Sequence, residues 1–133
     1  MNVRISRAVL DQILDHSDRY PDQEVCGLLL GTEADIRRAL PADNVAADPA
    51  SSFELDPQVL LAAHRAARGG GAAIVGHYHS HPSGAATPSA TDAEHARPGT
   101  LWLIVTARRA ALFEACDGGP IHGIFAPRAY DVR

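Results

Sequence analysis

The run from Gly76 to Asp92, which reads GHYHSHPSGAATPSATD, constrains this chain more than any other segment. His79 and His81 stand two positions apart in it, and on an extended strand such residues point to the same face. The β-branched and aromatic residues before them favour a strand, which Pro82 ends because proline cannot donate a ladder hydrogen bond. The sequence therefore predicts two imidazoles side by side where a strand ends.

The same run closes with the pattern of a helix start. Ser89 follows Pro88, and Asp92 comes three residues after the serine. A serine with an acidic residue three positions later fits a capping box, which is a purely structural arrangement. The pattern also fits a pair of site residues. The two interpretations are compatible, because a capped first turn would hold both side chains in place.

Two imidazoles and one carboxylate are three protein ligands for a zinc ion. A tetrahedral zinc with three protein ligands keeps its fourth position for water, which is typical of a catalytic rather than a structural site. Besides Asp92, a second candidate carboxylate for this site is that of Glu24, at the start of the apolar segment EVCGLLLG. Taken alone, Glu24 also fits a solvated acid at the start of a strand.

Together these residues resemble the JAMM (MPN+) metalloprotease motif. The matching positions are His79-Ser80-His81-Pro82, Ser89-x-x-Asp92 and the upstream Glu24 in PDQEVCGLLLG. The resemblance extends over nearly the whole chain, with no departure from the motif at a core position. The short form of the chain is similar to the prokaryotic stand-alone members of the family.

The resemblance implies a zinc-dependent peptidase or isopeptidase with one Zn²⁺ per chain. His79, His81 and Asp92 would hold the zinc. Glu24 would be the general base that takes a proton from the attacking water, and Ser89 would donate a hydrogen bond to the oxyanion. The fold implied is an MPN/JAB domain, an α/β architecture related to that of cytidine deaminases.

The resemblance also implies a substrate, the amide bond that follows the C-terminal Gly-Gly of a ubiquitin-like protein. The stand-alone form favours processing of a sulfur-carrier protein of this kind. Two alternatives remain: a desampylase-like isopeptidase that removes a small modifier from lysines, and a catalytically silent MPN scaffold. A zinc deaminase of the related fold is disfavoured, because the chain has neither a Cys-x-x-Cys pair nor a His-x-Glu.

Three further residues carry predictions about the surroundings of this site. Phe53 is the candidate substrate contact on one wall of a groove, and its alternative role is a core anchor for the following helix. His77 shares a strand face with His79 and is expected to be a buried, hydrogen-bonded core histidine; orienting a ligand is the alternative. Ser80 should point to the opposite face and take no catalytic role.

Composition limits the partners and the compartment. The net charge of −4 argues against nucleic acid, for which a basic patch is expected. No apolar run approaches the length of a membrane span, and the N-terminus lacks a signal peptide's apolar region. With Cys26 and Cys116 as reduced thiols, we expect a cytoplasmic protein. Residues 1–133 are expected to form a single domain, whose oligomeric state stays open.

Helices alternate with strands early in the chain, and strands cluster late. This order predicts an α/β fold with a mixed, mostly antiparallel sheet flanked by helices. The predicted elements are a helix at 6–17, a strand over EVCGLLLGT, a strand at 35–40, a helix from Asp56-Pro57 to the glycines at 69–71, a strand over LWLIVTA, and a hairpin of ALFEACD and IHGIFAP around 117–120.

Overall fold

The computed structural model describes residues 2–82 and 84–133; Met1 and Ser83, which fall inside the predicted domain, lie outside the described residues. In chain order the elements are β1 (Val3–Ile5), α1 (Arg7–Arg19), β2 (Cys26–Thr32), β3 (Asp35–Ala42), α2 (Pro57–Arg68), β4 (Ala73–Ser80), α3 (Ala90–His95), β5 (Leu101–Thr106), β6 (Arg109–Gly119), β7 (Gly123–Arg128) and β8 (Tyr130–Val132). No helix within these residues is both long and apolar enough to span a membrane.

The strands of the described residues form one eight-stranded sheet in the order β7-β6-β5-β4-β2-β3-β1-β8. β2 pairs antiparallel with β3 and β4, and β6 pairs antiparallel with β5 and β7. β4 runs parallel to β5, and β1 runs parallel to both β3 and β8. The prediction of a mixed, mostly antiparallel sheet is therefore confirmed.

Helices cover both faces of the sheet. α1 begins after Ser6, whose hydroxyl accepts the Val9 N–H at 3.1 Å, and its buried apolar stripe packs on the face that carries Tyr78. α2 is capped by Asp56 and packs against Leu28 on the opposite face. The short α3 lies on that same opposite face, against the cluster around Trp102. The sheet is thus the middle of three layers.

β4 lies in the middle of the sheet and carries His77 and His79, with His81 just beyond its last residue. Side chains alternate along it, so Tyr78 faces α1 whereas His77 and His79 face α2 and α3. Its parallel pairing with β5 depends on Gly76, since a Cβ there would lie 1.9 Å from the Leu101 carbonyl oxygen. The candidate ligand His79 therefore projects from a strand that is held on both edges.

Several boundaries differ from the sequence prediction. α1 runs from Arg7 to Arg19 rather than over 6–17, because Ser6 is its cap and not its first residue. The predicted hairpin is present, but β6 continues to Gly119 and the turn falls later, where His122 has a positive φ of 54°. The three-residue strands at the two ends of the chain, β1 and β8, have no counterpart in the prediction, because three residues are too few to show a strand pattern.

Candidate metal centre

Three side chains from the predicted motif converge at the end of β4. His79 lies on β4, His81 lies just beyond its last residue, and Asp92 lies in the first turn of α3. His79 Nε2 and His81 Nε2 are 3.0 Å apart, and Asp92 Oδ2 lies 3.2 Å from the first and 3.3 Å from the second. The structure thus brings together a triangle of donor atoms, which we call the donor triangle.

The donor triangle has the size that a metal ion requires. Tetrahedral zinc with ligands at about 2.0–2.1 Å places neighbouring donor atoms about 3.3 Å apart. His79 is fully buried, and this burial lowers the pKa of its ring, which favours the neutral imidazole with one nitrogen lone pair. A cation is therefore the group that best accommodates two imidazole lone pairs and a carboxylate at these distances.

Each imidazole is oriented by a different contact. His81 Nδ1 lies 3.0 Å from the Ala85 carbonyl oxygen. Because a carbonyl only accepts, the proton of this imidazole belongs on Nδ1, which leaves Nε2 free to bind a cation. His79 Nδ1 is buried and has no hydrogen-bond partner among residues 2–82 and 84–133. The ring is held instead by Phe53, which stacks on it with centroids 4.3 Å apart and planes at 19°.

Ser89 and Asp92 form the capping box that the sequence suggested. The Ser89 hydroxyl accepts the Asp92 N–H at 3.0 Å, and Asp92 Oδ2 accepts the Ser89 N–H at 2.9 Å. Burial alone would raise the pKa of Asp92, but contacts with His79, His81 and the Ser89 N–H outweigh it and hold the pKa below its usual range. Ser89 only accepts in this arrangement, so its own hydroxyl proton remains free to be donated.

Glu24 lies beside the donor triangle, two residues before β2 begins. A carboxylate oxygen of Glu24 lies within 4.8 Å of ring nitrogens of both His79 and His81, whereas Asp92 Oδ2 lies closer to both. Glu24 is only 6 % exposed, so the interpretation as a solvated acid is wrong. Burial raises the pKa of this carboxyl to about 7; the charge of Asp92 adds to the shift, and that of His81 opposes it. A carboxyl of this kind can exchange protons near neutral pH.

A family comparison decides the relationship that this geometry suggests. The family model for prokaryotic homologs of the JAB domain matches residues 6–116, which include the whole donor triangle and Glu24. The chain belongs to this family. The expected membership of the prokaryotic JAB group is thereby confirmed.

Two relatives and one solved structure are similar to this JAB domain. A desampylase from Haloferax volcanii is 43 % identical over 102 residues, which cover 71 % of this chain and 73 % of the relative. A probable TtuB-protein conjugate cleaving protease from Thermus thermophilus is 34 % identical over 93 residues, which cover 70 % of this chain and 62 % of that protein. A JAB1/MPN domain protein from Archaeoglobus fulgidus shares the fold, with a TM-score of 0.63, 19 % identity, and coverage of 99 % of this chain and 97 % of its own.

A cavity of about 820 Å³ is lined in part by Phe53, but by none of the three residues of the donor triangle. His77 and Trp102 form part of its wall, with ring centroids 4.2 Å apart in a T-shaped contact. The expected hydrogen bond of His77 is not found for Nδ1, which is buried without a partner in the described part of the chain. Aromatic packing against Phe53 and Trp102 therefore fixes His77, whose ring also lies 6.4 Å from that of His79 between centroids.

Both cysteines are free thiols, and neither belongs to the donor triangle. Cys26 pairs with His79 across the β2–β4 ladder and is fully buried. Burial raises the pKa of its thiol to about 12, with smaller contributions from Asp43 and Glu24. A thiol that stays protonated is a poor nucleophile, so Cys26 acts here as a small apolar residue.

Proposed function

We propose that this protein is a zinc-dependent isopeptidase that hydrolyses the amide bond after the C-terminal Gly-Gly of a ubiquitin-like protein. The observation that carries the proposal is the donor triangle, with sides of 3.0–3.3 Å, beside the buried carboxyl of Glu24. His79, His81 and Asp92 would hold one Zn²⁺ per chain. When bound, the ion supplies Lewis-acid polarisation of the scissile carbonyl and a water of lowered pKa.

Glu24 acts as the general base and then as the general acid. It takes a proton from the attacking water and passes this proton to the nitrogen of the leaving amine. The efficiency of such a group is greatest when its pKa lies near the working pH, and burial raises the pKa of Glu24 to about 7. The buried surroundings therefore suit this carboxyl to both halves of the transfer.

Ser89 stabilises the oxyanion that forms when water attacks the carbonyl. Its hydroxyl oxygen is occupied by the Asp92 N–H, which orients the group and leaves its proton to point elsewhere. A donor of this kind contributes about 3–4 kcal/mol to the stability of a transition state. The capping box thus serves structure and catalysis together.

The substrate is a conjugate in which a ubiquitin-like protein is joined to an amine. The names of the two relatives, a desampylase and a conjugate cleaving protease, support deconjugation over the trimming of a sulfur carrier. The convergence of all three donors disfavours the silent scaffold. Phe53 stacks on His79 and lines the neighbouring cavity, which supports its role as an apolar contact for the substrate.

The Gly-Gly requirement is tested with two matched conjugates. One carries a ubiquitin-like protein that ends in Gly-Gly, joined to a lysine side chain, and the other carries the same protein ending in Ala-Val. We expect rapid cleavage of the first and little of the second, because the proposed groove beside the metal would admit a tail without side chains and exclude the larger side chains of Ala-Val. Mass spectrometry of the products locates the cut. Equal rates on both conjugates would rule out a Gly-Gly-selective groove, and no cleavage of either by the zinc-loaded protein would rule out the proposed function.

Acidification is expected to lower kcat/KM as Glu24 takes up a proton. The base is competent only when deprotonated, so activity is present above its pKa and is lost as the pH falls through it. Burial sets that pKa at about 7 and a bound cation opposes the shift, so the acid limb should lie at or below neutral pH. The measurement is kcat/KM between about pH 5 and pH 9, with zinc content determined at each pH. A flat profile with zinc retained throughout would contradict the role of Glu24.

A further inference from the structure

Glu24 lies outside the regular pairing of the sheet. β2 begins at Cys26, and of the two residues before it only Val25 bonds to a strand main chain, because its carbonyl oxygen accepts the Ser80 N–H at 3.0 Å. Within the described residues, neither main-chain group of Glu24 bonds to the main chain of a strand. A catalytic base must nevertheless stay within about 0.5 Å of its productive position. Something other than the sheet therefore has to fix the main chain at Glu24.

The main chain at Glu24 is clamped from two sides. On one side, the Glu24 N–H donates to the Pro49 carbonyl oxygen at 2.7 Å, and Asn44 Nδ2 donates to the Glu24 carbonyl oxygen at 2.8 Å. On the other side, the Ser80 hydroxyl accepts the Val25 N–H at 2.8 Å. Ser80 points away from the donor triangle, as predicted, and its buried hydroxyl serves this clamp.

Asn44 uses the full hydrogen-bonding capacity of its carboxamide. Nδ2 donates to the carbonyl oxygens of Glu24 at 2.8 Å and Ser52 at 3.0 Å. Oδ1 accepts the N–H of Ala46 at 3.0 Å and of Glu54 at 3.1 Å. Two donors and two acceptor sites are all that an asparagine side chain has, and each is matched here. Nδ2 thus binds the main-chain carbonyl of the proposed base, Glu24, and Oδ1 binds two N–H groups within the loop 44–54 and so closes that loop.

We propose that Asn44 is a positioning residue that sets the location of Glu24, an inference that rests on the proposed function. The loop closed by Asn44 supplies the Pro49 carbonyl to Glu24 and also carries Phe53, which stacks on His79. One side chain thereby fixes the general base and, through the loop, supports a ligand of the donor triangle. Displacement of a reacting group by about 1 Å can lower a rate about 100-fold, so this clamp matters to turnover.

The substitution Asn44→Asp separates the two halves of this side chain. The aspartate keeps an acceptor for Ala46 and Glu54 but loses both Nδ2 donors, including the one to Glu24. We expect kcat on the Gly-Gly conjugate to fall about 10- to 100-fold, with KM and zinc content close to wild type. The matched control is Asn2→Asp, at the only other asparagine of the chain, which is exposed and should leave kcat unchanged. Wild-type kcat in the Asn44 variant would overturn the inference.

A double-mutant cycle distinguishes positioning from a general loss of structure. If Asn44 acts through Glu24, adding Asn44→Asp to Glu24→Gln should cause no further loss of residual turnover. A further loss as large as that in the wild-type background would instead assign Asn44 a structural role and overturn the inference. If the Asn44 variant does not fold, Ser80→Ala is measured in the same cycle, because it releases the other side of the clamp. Non-additivity with Glu24→Gln supports the clamp there too, and wild-type kcat in Ser80→Ala overturns it.

Amide hydrogen exchange tests the clamp whether or not the conjugate is the right substrate. In the zinc-loaded Asn44→Asp protein, we expect faster exchange of the Glu24 amide, since its partner Pro49 belongs to the loosened loop, while the amides of β2 stay protected. Wild-type protection of the Glu24 amide would overturn the inference independently of catalysis. If wild-type protein fails to cleave the conjugate while this exchange change is seen, the substrate proposal is wrong and the clamp stands.

Discussion

Replacing Glu24 with glutamine is expected to lower kcat by about 10²–10⁴-fold while leaving the fold and the bound zinc in place. The amide has nearly the same shape but cannot accept the proton of the attacking water. Zinc should be retained because the donor triangle is made by His79, His81 and Asp92. The measurement is kcat on the Gly-Gly conjugate together with the zinc content of the same sample.

The matched control is Glu33→Gln, an exposed glutamate in the turn between β2 and β3, which should keep wild-type kcat. Melting temperatures of both variants are compared with that of the wild type. Replacing a buried carboxyl whose pKa is already raised should not destabilise the fold. Turnover at the wild-type rate in zinc-loaded Glu24→Gln would exclude Glu24 as the base.

Substitution within the donor triangle is expected to abolish both zinc binding and turnover. His79→Ala and His81→Ala each remove one imidazole ligand, and Asp92→Asn removes the charge. Asp92→Asn is the sharper variant, because its side-chain oxygen can still accept the Ser89 N–H and so preserve the capping box. We expect His79→Ala also to lower the free energy of unfolding, by about 2–5 kcal/mol, because its ring is fully buried and the substitution leaves a cavity.

The control for these variants is His64→Ala, an exposed histidine on α2 outside the donor triangle. Elemental analysis should find one zinc per chain in this control and in the wild type, and little in the three ligand variants. Full zinc occupancy in any ligand variant would remove that residue from the site.

The donor triangle could be predicted because its parts are local. His79 and His81 are ordered by the two-residue period of a strand, and Ser89 with Asp92 by the first turn of a helix. Only one long-range step, the approach of α3 to the end of β4, had to be supplied by the family resemblance. The sheet class was predictable for a similar reason, since the central strands β2 and β5 are apolar runs that the sequence shows directly.

The clamp around Glu24 could not be predicted in this way. Asn44 is a single polar residue in a loop, and its partners include Glu24, 20 positions upstream, and Glu54, 10 positions downstream. No periodic pattern encodes such contacts, because they depend on how the loop closes. Ser80 was correctly placed on the opposite strand face, but its bond to Val25 depends on the register of β2 against β4.

The later hairpin shows a second limit of sequence patterns. Asp117-Gly118-Gly119-Pro120 reads as a turn, yet β6 continues through Gly119 across a shift in register that follows Ala115. Pairing of Gly119 with Gly123 keeps Gly119 in β6 although Gly118 has a positive φ of 75°, and the reversal falls where His122 and Gly123 have positive φ. Tertiary pairing thus outweighs local turn propensity at this position.

The most direct test of a catalytic metal in the donor triangle is a titration of metal-free protein with zinc while conjugate cleavage is followed. We expect no cleavage before zinc is added, a linear rise with added zinc, and a plateau at one equivalent per chain. Asp92→Asn, titrated in parallel, should show no rise over the same range. Full activity of the wild-type chain in the presence of a strong chelator, or restoration of Asp92→Asn by the same single equivalent, would contradict the assignment.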